Sequence, residues 1–200
     1  MQIEEIIRGK KGKLTIRVEG GLSFPLYEKE AAKYRLTEGG TLTEQEWNEI
    51  CVEILEKRAR RRAMYILQRM ERTEYQLRQK LQENGYPEEI VQCAIDYVKS
   101  FHYVDDYRYA CTYIRYHQSE KSRLQIKMKL YERGVSSDLI EQALEDEYAG
   151  EEEQLIDRLL EKKHYDAETM DQKENRRLPV SDAQRIPFRY DPAQDGIVME

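Results

Sequence analysis

The chain has 200 residues, of which 40% are hydrophobic and 36% are charged, with a formal net charge of -6. This length allows one or two domains, and a mean hydropathy of -0.88 requires most helices to keep one face in water. No apolar run reaches the length of a membrane span, and the first residues lack the apolar region of a signal peptide. We therefore expect a cytoplasmic protein that contacts no membrane.

The net charge conceals two segments of opposite sign. Residues 57–80 contain nine Lys/Arg and two Glu, whereas residues 135–157 contain nine Asp/Glu and no Lys or Arg. Local charge, rather than net charge, decides what a surface attracts. The basic segment therefore suits nucleic acid. The acidic segment suits a basic protein surface, or serves only to keep the protein in solution.

The N-terminal residues predict a small antiparallel sheet. Apolar and polar residues alternate over 14–18 and over 22–26, and Gly20-Gly21 between them is typical of a hairpin turn. Residues 3–7 add a third strand. Pro25 lacks an N–H group, which places the last strand at an edge of the sheet. So small a unit is not stable alone, and we expect it to pack on the helices that follow.

A long helix follows, and two stripes of residues separate along it. Thr43 and Glu46 have the spacing of a capping box, so a helix begins there and continues, with or without a break, to about residue 70. The apolar stripe consists of residues at helical spacing: Ala59, Ala63, Ile66 and Met70. The second stripe, rotated by one residue, consists of Arg58, Arg62, Tyr65 and Arg69. A solvated face is the simpler interpretation, but the excess of positive charge favours a binding surface.

The stretch 73–86 occurs twice, the second time at residues 122–135, which is 122 − 73 = 49 positions later. Both copies carry a capping residue, two apolar residues four positions apart and a glycine suited to a position just past a helix end. The matched positions are Thr73 with Ser122, Gln76 with Gln125, Leu77 with Ile126, Leu81 with Leu130, and Gly85 with Gly134. Such self-similarity predicts helical modules that pack their apolar faces on each other.

These patterns divide the chain into five segments. They are a sheet unit with a short helix at 1–42, a first helical repeat at 43–103, a second at 104–149, a partial third at 150–178 and an irregular tail at 179–200. The third repeat breaks down because Asp182 and Ile186 stand where leucine and glycine are expected, and three prolines interrupt the tail. We hypothesise a truncation or frameshift near residue 178. A genuinely divergent tail is the other explanation, and resequencing the gene would distinguish them.

No catalytic constellation is visible in the sequence. His102, His117 and His164 are far apart, the cysteines and histidines lack zinc-site spacing, and there is no phosphate-binding glycine loop. Asp105-Asp106 is most simply a helix cap, although a paired-carboxylate site is the alternative. The three cysteines are odd in number and widely spaced, which indicates reduced, buried thiols. We expect no enzymatic activity, no metal and no cofactor.

Basic residues recur at equivalent positions of the two repeats, Arg78 with Lys127 and Lys80 with Lys129. Rows of Lys and Arg with exposed tyrosine suit a phosphate backbone, bound without base readout and with strong salt dependence. They suit an acidic groove on a protein equally well. The candidate binding residues are the members of these basic rows: Arg58, Arg61, Arg62, Tyr65, Arg69, Arg72, Arg78, Lys80, Arg123, Lys127 and Lys129.

With its repeats in view, the chain resembles the RecX family, the bacterial regulators of the RecA recombinase. The resemblance covers about residues 43–177, extends more loosely to the N-terminal sheet, and fails after Leu178. Four stretches carry it: RRAMYILQRMERTEYQLRQKLQENGYPEEIV (61–91), FHYVDDYRYA (101–110), SRLQIKMKLYERGVSSDLIEQAL (122–144) and EEEQLIDRLLEKKHYD (151–166).

The resemblance implies a mainly α fold of tandem three-helix modules in an elongated, curved array. It implies a non-enzymatic regulator that lies in the groove of the RecA–DNA filament, hinders strand exchange and ATP turnover, and promotes filament loss. It also implies weak binding of single- and double-stranded DNA without sequence specificity, in DNA repair, recombination and the SOS response. We expect a monomer.

A protein of another class is the alternative. A stand-alone DNA-binding helical-repeat protein would use helix hairpins as readers and would bind DNA tightly, with sequence preference, in the absence of a recombinase. The sequence shows no recognition helix rich in Asn, Gln and Arg at one terminus, which counts against it.

Overall fold

The computed structural model describes residues 1–148, together with the backbone of residues 188–191 and 196–199. Contacts divide the chain into two units, Met1–Gly150 and Glu151–Glu200, which are treated separately here. The described part of the first unit is mainly α-helical and begins with a three-stranded sheet. This agrees with the predicted fold class.

The N-terminal sheet consists of β1 (Ile3–Arg8), β2 (Lys13–Val18) and β3 (Ser23–Tyr27), antiparallel and in that order. The turn between β2 and β3 contains Gly20 and Gly21 at φ values of 89° and 82°, which a side chain would oppose. The predicted hairpin is therefore confirmed. Because β3 pairs only with β2, its proline lies in an edge strand, as expected.

The sheet packs on the first helices through one continuous core. A short helix, α1 (Glu28–Lys33), follows β3. The Phe24 ring lies 4.8 Å, centroid to centroid, from the ring of Trp47, and Leu42 is fully buried between the two parts. The Lys13 ammonium donates a 2.9 Å hydrogen bond to the Asn84 carbonyl. The sheet is therefore stabilised by the helices, as its small size requires.

The long helix is continuous but not uniform. It runs through α2 (Glu44–Glu49), a π-type stretch (Ile50–Glu56) and α3 (Lys57–Arg69), with right-handed helical dihedrals at each junction. The Thr43–Glu46 capping box is present, with both reciprocal hydrogen bonds.

The predicted apolar stripe of α3 is correct at its start and wrong at its end. Ala59 and Ala63 are fully buried, whereas Met70 is 60% exposed. The helix ends at Arg69, and Met70 has φ -160° and ψ 135°. This extended backbone carries Met70 away from the face that the helical spacing assigned to it.

Both modules repeat the same helix order. The first continues from α3 to α4 (Glu74–Glu83) and α5 (Glu88–Ser100), and the second contains α6 (Asp106–His117), α7 (Arg123–Glu132) and α8 (Ser137–Glu147). The hydroxyls of Thr73 and Ser122 cap α4 and α7, and Gly85 and Gly134 follow these helices at φ 89° and 81°. The repeated cap and glycine positions are confirmed. The repeated apolar pairs are also buried: Leu77 with Leu81, and Ile126 with Leu130.

The two modules meet at the start of α4. The Thr73 hydroxyl, which accepts from the Gln76 N–H, also donates a 2.6 Å hydrogen bond to the Arg133 carbonyl. The Glu74 N–H donates to the Asp106 carboxylate at 2.8 Å. Gly134 lies so close to Tyr75 that a Cβ atom on this glycine would stand 2.2 Å from the Tyr75 Cβ. Close backbone approach and fixed hydrogen bonds therefore define the junction.

Two short strands occur near the C-terminus. Phe188–Asp191 (β4) and Gly196–Met199 (β5) pair antiparallel, with Phe188 opposite Met199. The prediction of an irregular tail does not include this hairpin, whose β-branched and aromatic residues suit strands. The predicted third repeat at 150–178 and the hypothesised frameshift position lie outside the described residues.

Substitution of the two repeat glycines by alanine should have unequal effects. Gly85→Ala should cost about 1–2 kcal/mol of unfolding free energy, because the alanine must adopt a left-handed backbone but meets no atom within 4 Å. Gly134→Ala should cost about 2–3 kcal/mol more, because its Cβ also collides with Tyr75. Urea unfolding of both variants measures the difference, and equal losses would contradict the junction described above.

Removal of the two capping hydroxyls, of Thr73 and Ser122, should also lower the unfolding free energy by different amounts. Ser122→Ala removes one cap and should cost about 1 kcal/mol. Thr73→Ala removes the cap and the hydrogen bond to Arg133, and should cost about 2–3 kcal/mol. Thr73→Ser keeps the hydroxyl and is the matched control, with most of the stability retained in urea unfolding. A Thr73→Ala loss no greater than that of Ser122→Ala would show that the bond to Arg133 contributes nothing.

Candidate functional site

The exposed face of α3 carries a tyrosine between two arginines. The guanidinium carbons of Arg62 and Arg69 lie 5.4 Å and 4.6 Å from the centroid of the Tyr65 ring, which is 43% exposed. One turn of helix separates each pair, since 3.6 residues complete a turn. The predicted spacing therefore brings these three side chains together.

Four arginines on α3 and just beyond it have no acidic partner within residues 1–148: Arg61, Arg62, Arg69 and Arg72. The Arg61 Nε donates only to the Lys57 carbonyl, at 3.2 Å. The Nε atoms of Arg62 and Arg72 are buried without a hydrogen-bond partner. These four residues and Tyr65 are called the α3 basic surface below. Its positive charge is not neutralised by neighbouring carboxylates.

An open groove of about 750 Å³ adjoins this surface, between the sheet unit and the first module. Lys13 of the sheet and Tyr86 after α4 line it together with Arg61 and Arg62. Sequence reasoning did not identify Lys13 or Tyr86 as site residues, because neither lies in a basic row and only tertiary packing brings them to α3. Burial raises the pKa of the Tyr86 hydroxyl, which therefore stays protonated at neutral pH.

Arg58 belongs to the predicted stripe but has contacts within the fold. Its guanidinium pairs with the Glu30 carboxylate, donates a hydrogen bond to the Pro25 carbonyl at 3.2 Å, and lies 4.8 Å from the Tyr27 ring centroid. All three partners belong to the sheet unit or to the helix that follows it. Arg58 thus joins that unit to α3.

Arg78 and Lys127 also contact residues of their own modules. Arg78 bonds to Gln92 at 2.6 Å and pairs with Glu74 and Glu88. Lys127 pairs with Glu141, which stands in the second repeat where Gln92 stands in the first. In both modules this basic residue connects the second helix to the third. Half-exposed ion pairs of this kind contribute about 0–1 kcal/mol each.

The remaining predicted basic residues are paired as well. Lys80 lies 2.8 Å from Glu83 and Lys129 lies 2.7 Å from Glu132, an equivalent pair in each repeat. Arg123 shares Glu141 at 3.6 Å. The structure therefore divides the predicted rows into a paired set and the unpaired α3 basic surface.

Each carboxylate of the Asp105-Asp106 pair has a structural role. Asp105 accepts from the Arg108 N–H at 2.9 Å and caps α6, as expected, while Asp106 accepts from Glu74. No group of three or more His, Cys, Asp or Glu able to hold a metal occurs in the described part of the chain. Burial raises the pKa of the Cys51 thiol to about 11, which keeps it protonated.

No helix among the described residues is long and apolar enough to cross a membrane. Two successive three-helix domains behind a small sheet define a helical-repeat protein. Family models described as "RecX, first three-helix domain" and "RecX, second three-helix domain" match residues 59–97 and 105–144. These ranges correspond to α3–α5 and α6–α8.

Curated relatives extend the match beyond the two domains. The regulatory protein RecX of Caldanaerobacter subterraneus subsp. tengcongensis is 32% identical over 166 residues, covering 82% of this chain and 84% of the relative. The regulatory protein RecX of Clostridium acetobutylicum is 25% identical over 157 residues, covering 78% and 73%. The chain therefore belongs to the RecX family of regulatory proteins, which confirms the resemblance.

A solved structure agrees with the fold. The crystal structure of RecX from Lactobacillus salivarius is 20% identical and superposes with a TM-score of 0.51, covering 58% of this chain and 79% of the other. At 20% sequence identity, this structural similarity supports the architecture alone.

Proposed function

We propose that this protein binds the RecA–DNA filament and negatively modulates the recombinase, lowering ATP hydrolysis, strand exchange and filament stability. It acts as a monomer in the cytoplasm, in DNA repair and recombination, without catalysis of its own. Family membership supports the regulatory role. The observation that carries the DNA contact is the α3 basic surface, where four arginines have no acidic partner among residues 1–148 and two of them, Arg62 and Arg69, lie against an exposed tyrosine.

The chemistry of this surface fits a phosphate backbone. A guanidinium group that lacks a carboxylate partner gains most from phosphate oxygens, to which it can donate two parallel hydrogen bonds. The Tyr65 ring offers a face on which a base can stack whatever its sequence. If the four arginines neutralise four phosphates of a single strand, the logarithm of the binding constant should fall with the logarithm of the salt concentration with a slope of about -3. Binding of this kind is weak, salt-dependent and not sequence-specific.

Charge reversal on α3 tests the proposal. Arg62→Glu with Arg69→Glu should weaken single-stranded DNA binding at least tenfold, about 1.4 kcal/mol, because two phosphate contacts become repulsive. The apolar face of α3 is untouched, so the circular dichroism spectrum should not change. Fluorescence anisotropy at several salt concentrations measures both the affinity and the salt slope.

The matched control is Lys80→Glu with Lys129→Glu, which changes the net charge equally but at residues already paired with glutamate. It should change DNA affinity less than threefold. Equal weakening by both double variants would mean that only net charge matters, and an unchanged Arg62→Glu/Arg69→Glu variant would mean that the surface binds no phosphate.

The regulatory part is tested by RecA-catalysed, single-strand-dependent ATP hydrolysis. Wild-type protein should suppress turnover when it is well below one molecule per recombinase subunit, and the α3 variant should do so far less. DNA binding without any effect on the recombinase would favour the stand-alone DNA-binding protein.

A further inference from the structure

A second surface on the first module carries exposed aromatic side chains in contact with one another. Tyr97, Phe101 and Tyr103 are 37%, 54% and 47% exposed. The ring centroids of Tyr97 and Phe101 lie 5.1 Å apart, edge to face, and those of Phe101 and Tyr103 lie 6.0 Å apart, stacked. These three residues are called the aromatic face. Among residues 101–104, which connect α5 to α6, only Val104 is buried.

The backbone holds these rings at the surface. Phe101 is the C-cap residue that follows α5, and the next residue, His102, has a left-handed φ of 56°. A non-glycine residue in that conformation is strained, and such strain persists only where its surroundings impose it. The reversal at His102 places Phe101 and Tyr103 side by side in water instead of turning either of them into the core. Three exposed aromatic rings in contact with one another are typical of a binding surface.

An acidic groove adjoins the aromatic face at Tyr97. A shallow groove continues from Tyr97 along α5 and is lined by Glu88, Glu89 and Asp96. The one basic residue in its lining, Arg60, already pairs with Glu56 at 2.9 Å. Its guanidinium carbon also lies 5.2 Å from the centroid of the Tyr97 ring. Glu88 also pairs with Arg78, so Glu89 and Asp96 give the groove its negative charge, and the groove already accommodates one guanidinium against an aromatic ring.

This surface faces away from the α3 basic surface. At 3.6 residues per turn, Arg62 is rotated about 200° around α3 from Arg60, and Tyr65 about 140°. Arg60 contacts Tyr97, whereas Arg62 contacts Tyr65. The first module thus presents a cationic side with one tyrosine and, across the helix, an anionic side with three aromatic rings.

We propose that the aromatic face and its acidic groove dock a protein surface that presents Lys or Arg side chains beside apolar contacts. Within the proposed function, on which this inference rests, that surface belongs to the recombinase, while the opposite side of α3 contacts DNA. Nucleic acid is a poor occupant, because phosphates would meet Glu88, Glu89 and Asp96. A cationic side chain would be attracted both to the carboxylates and to the faces of the aromatic rings. Aromatic residues are also those that most often dominate protein interfaces.

Two double variants test this assignment in the full chain. Phe101→Ala with Tyr103→Ala should raise at least tenfold the concentration needed to suppress RecA ATP hydrolysis, while DNA affinity changes less than twofold. Glu89→Lys with Asp96→Lys should impair suppression similarly and should not weaken DNA binding. The Arg62→Glu/Arg69→Glu variant should also suppress less, but it should lose DNA affinity as well, so DNA affinity distinguishes the two surfaces.

The matched control is Tyr116→Ala with Tyr131→Ala, which removes two exposed aromatic rings of the second module. It should suppress ATP hydrolysis like the wild type, and thermal unfolding should show that every variant is folded.

Three outcomes would overturn the inference. Suppression at wild-type concentrations by the Phe101→Ala/Tyr103→Ala variant would show that the recombinase does not use this face. Weaker DNA binding by that variant would show that bases stack there. Self-association in sedimentation, lost on the same substitutions, would make a second copy the occupant. A wild-type chain without any effect on RecA would instead remove the proposed function, and this inference with it.

Discussion

The close approach of the two modules at Thr73 and Gly134 is the constraint on which the helical part of the structure depends. One buried hydroxyl caps α4 and also bonds to the Arg133 carbonyl, so the local fold of the first module and its contact with the second use the same atom. Opposite it, Gly134 lets the backbone approach Tyr75 because it has no side chain. A repeat protein gains stability from such interfaces between neighbours.

The basic residues of the two modules divide according to their partners. Basic residues at equivalent repeat positions pair with carboxylates of their own module, so their charges are neutralised within it. These residues are Arg78 and its equivalent Lys127, and Lys80 and its equivalent Lys129. The arginines of the α3 basic surface have no such partners among residues 1–148 and remain available to a ligand. Exposed ion pairs contribute little to stability, whereas a guanidinium without a carboxylate partner can donate two parallel hydrogen bonds to a phosphate.

The first module acquires two sides of opposite character because α3 is packed between them. The buried alanines of α3 face the core. The arginines lie on one side of this helix and the acidic groove along α5 lies on the other, so the two sides differ in charge. A filament of protein on DNA also presents two chemistries, polyphosphate and polypeptide. A module with one side for each can position itself between them without a catalytic group.

The sequence by itself determined the modules and their local chemistry. Helix caps, burial of Leu81 and Leu130, the left-handed glycines and the stripe around Tyr65 depend on spacing along one chain segment, which periodicity records directly. The tertiary structure alone decided which charges are neutralised and which aromatics stay in water. Arg58 meets Glu30 only because the sheet packs on α3, and Phe101 and Tyr103 stay exposed through the local turn at His102. The first outcome depends on contacts between distant segments and the second on a change of backbone direction at a helix end, and helical spacing has no signal for either.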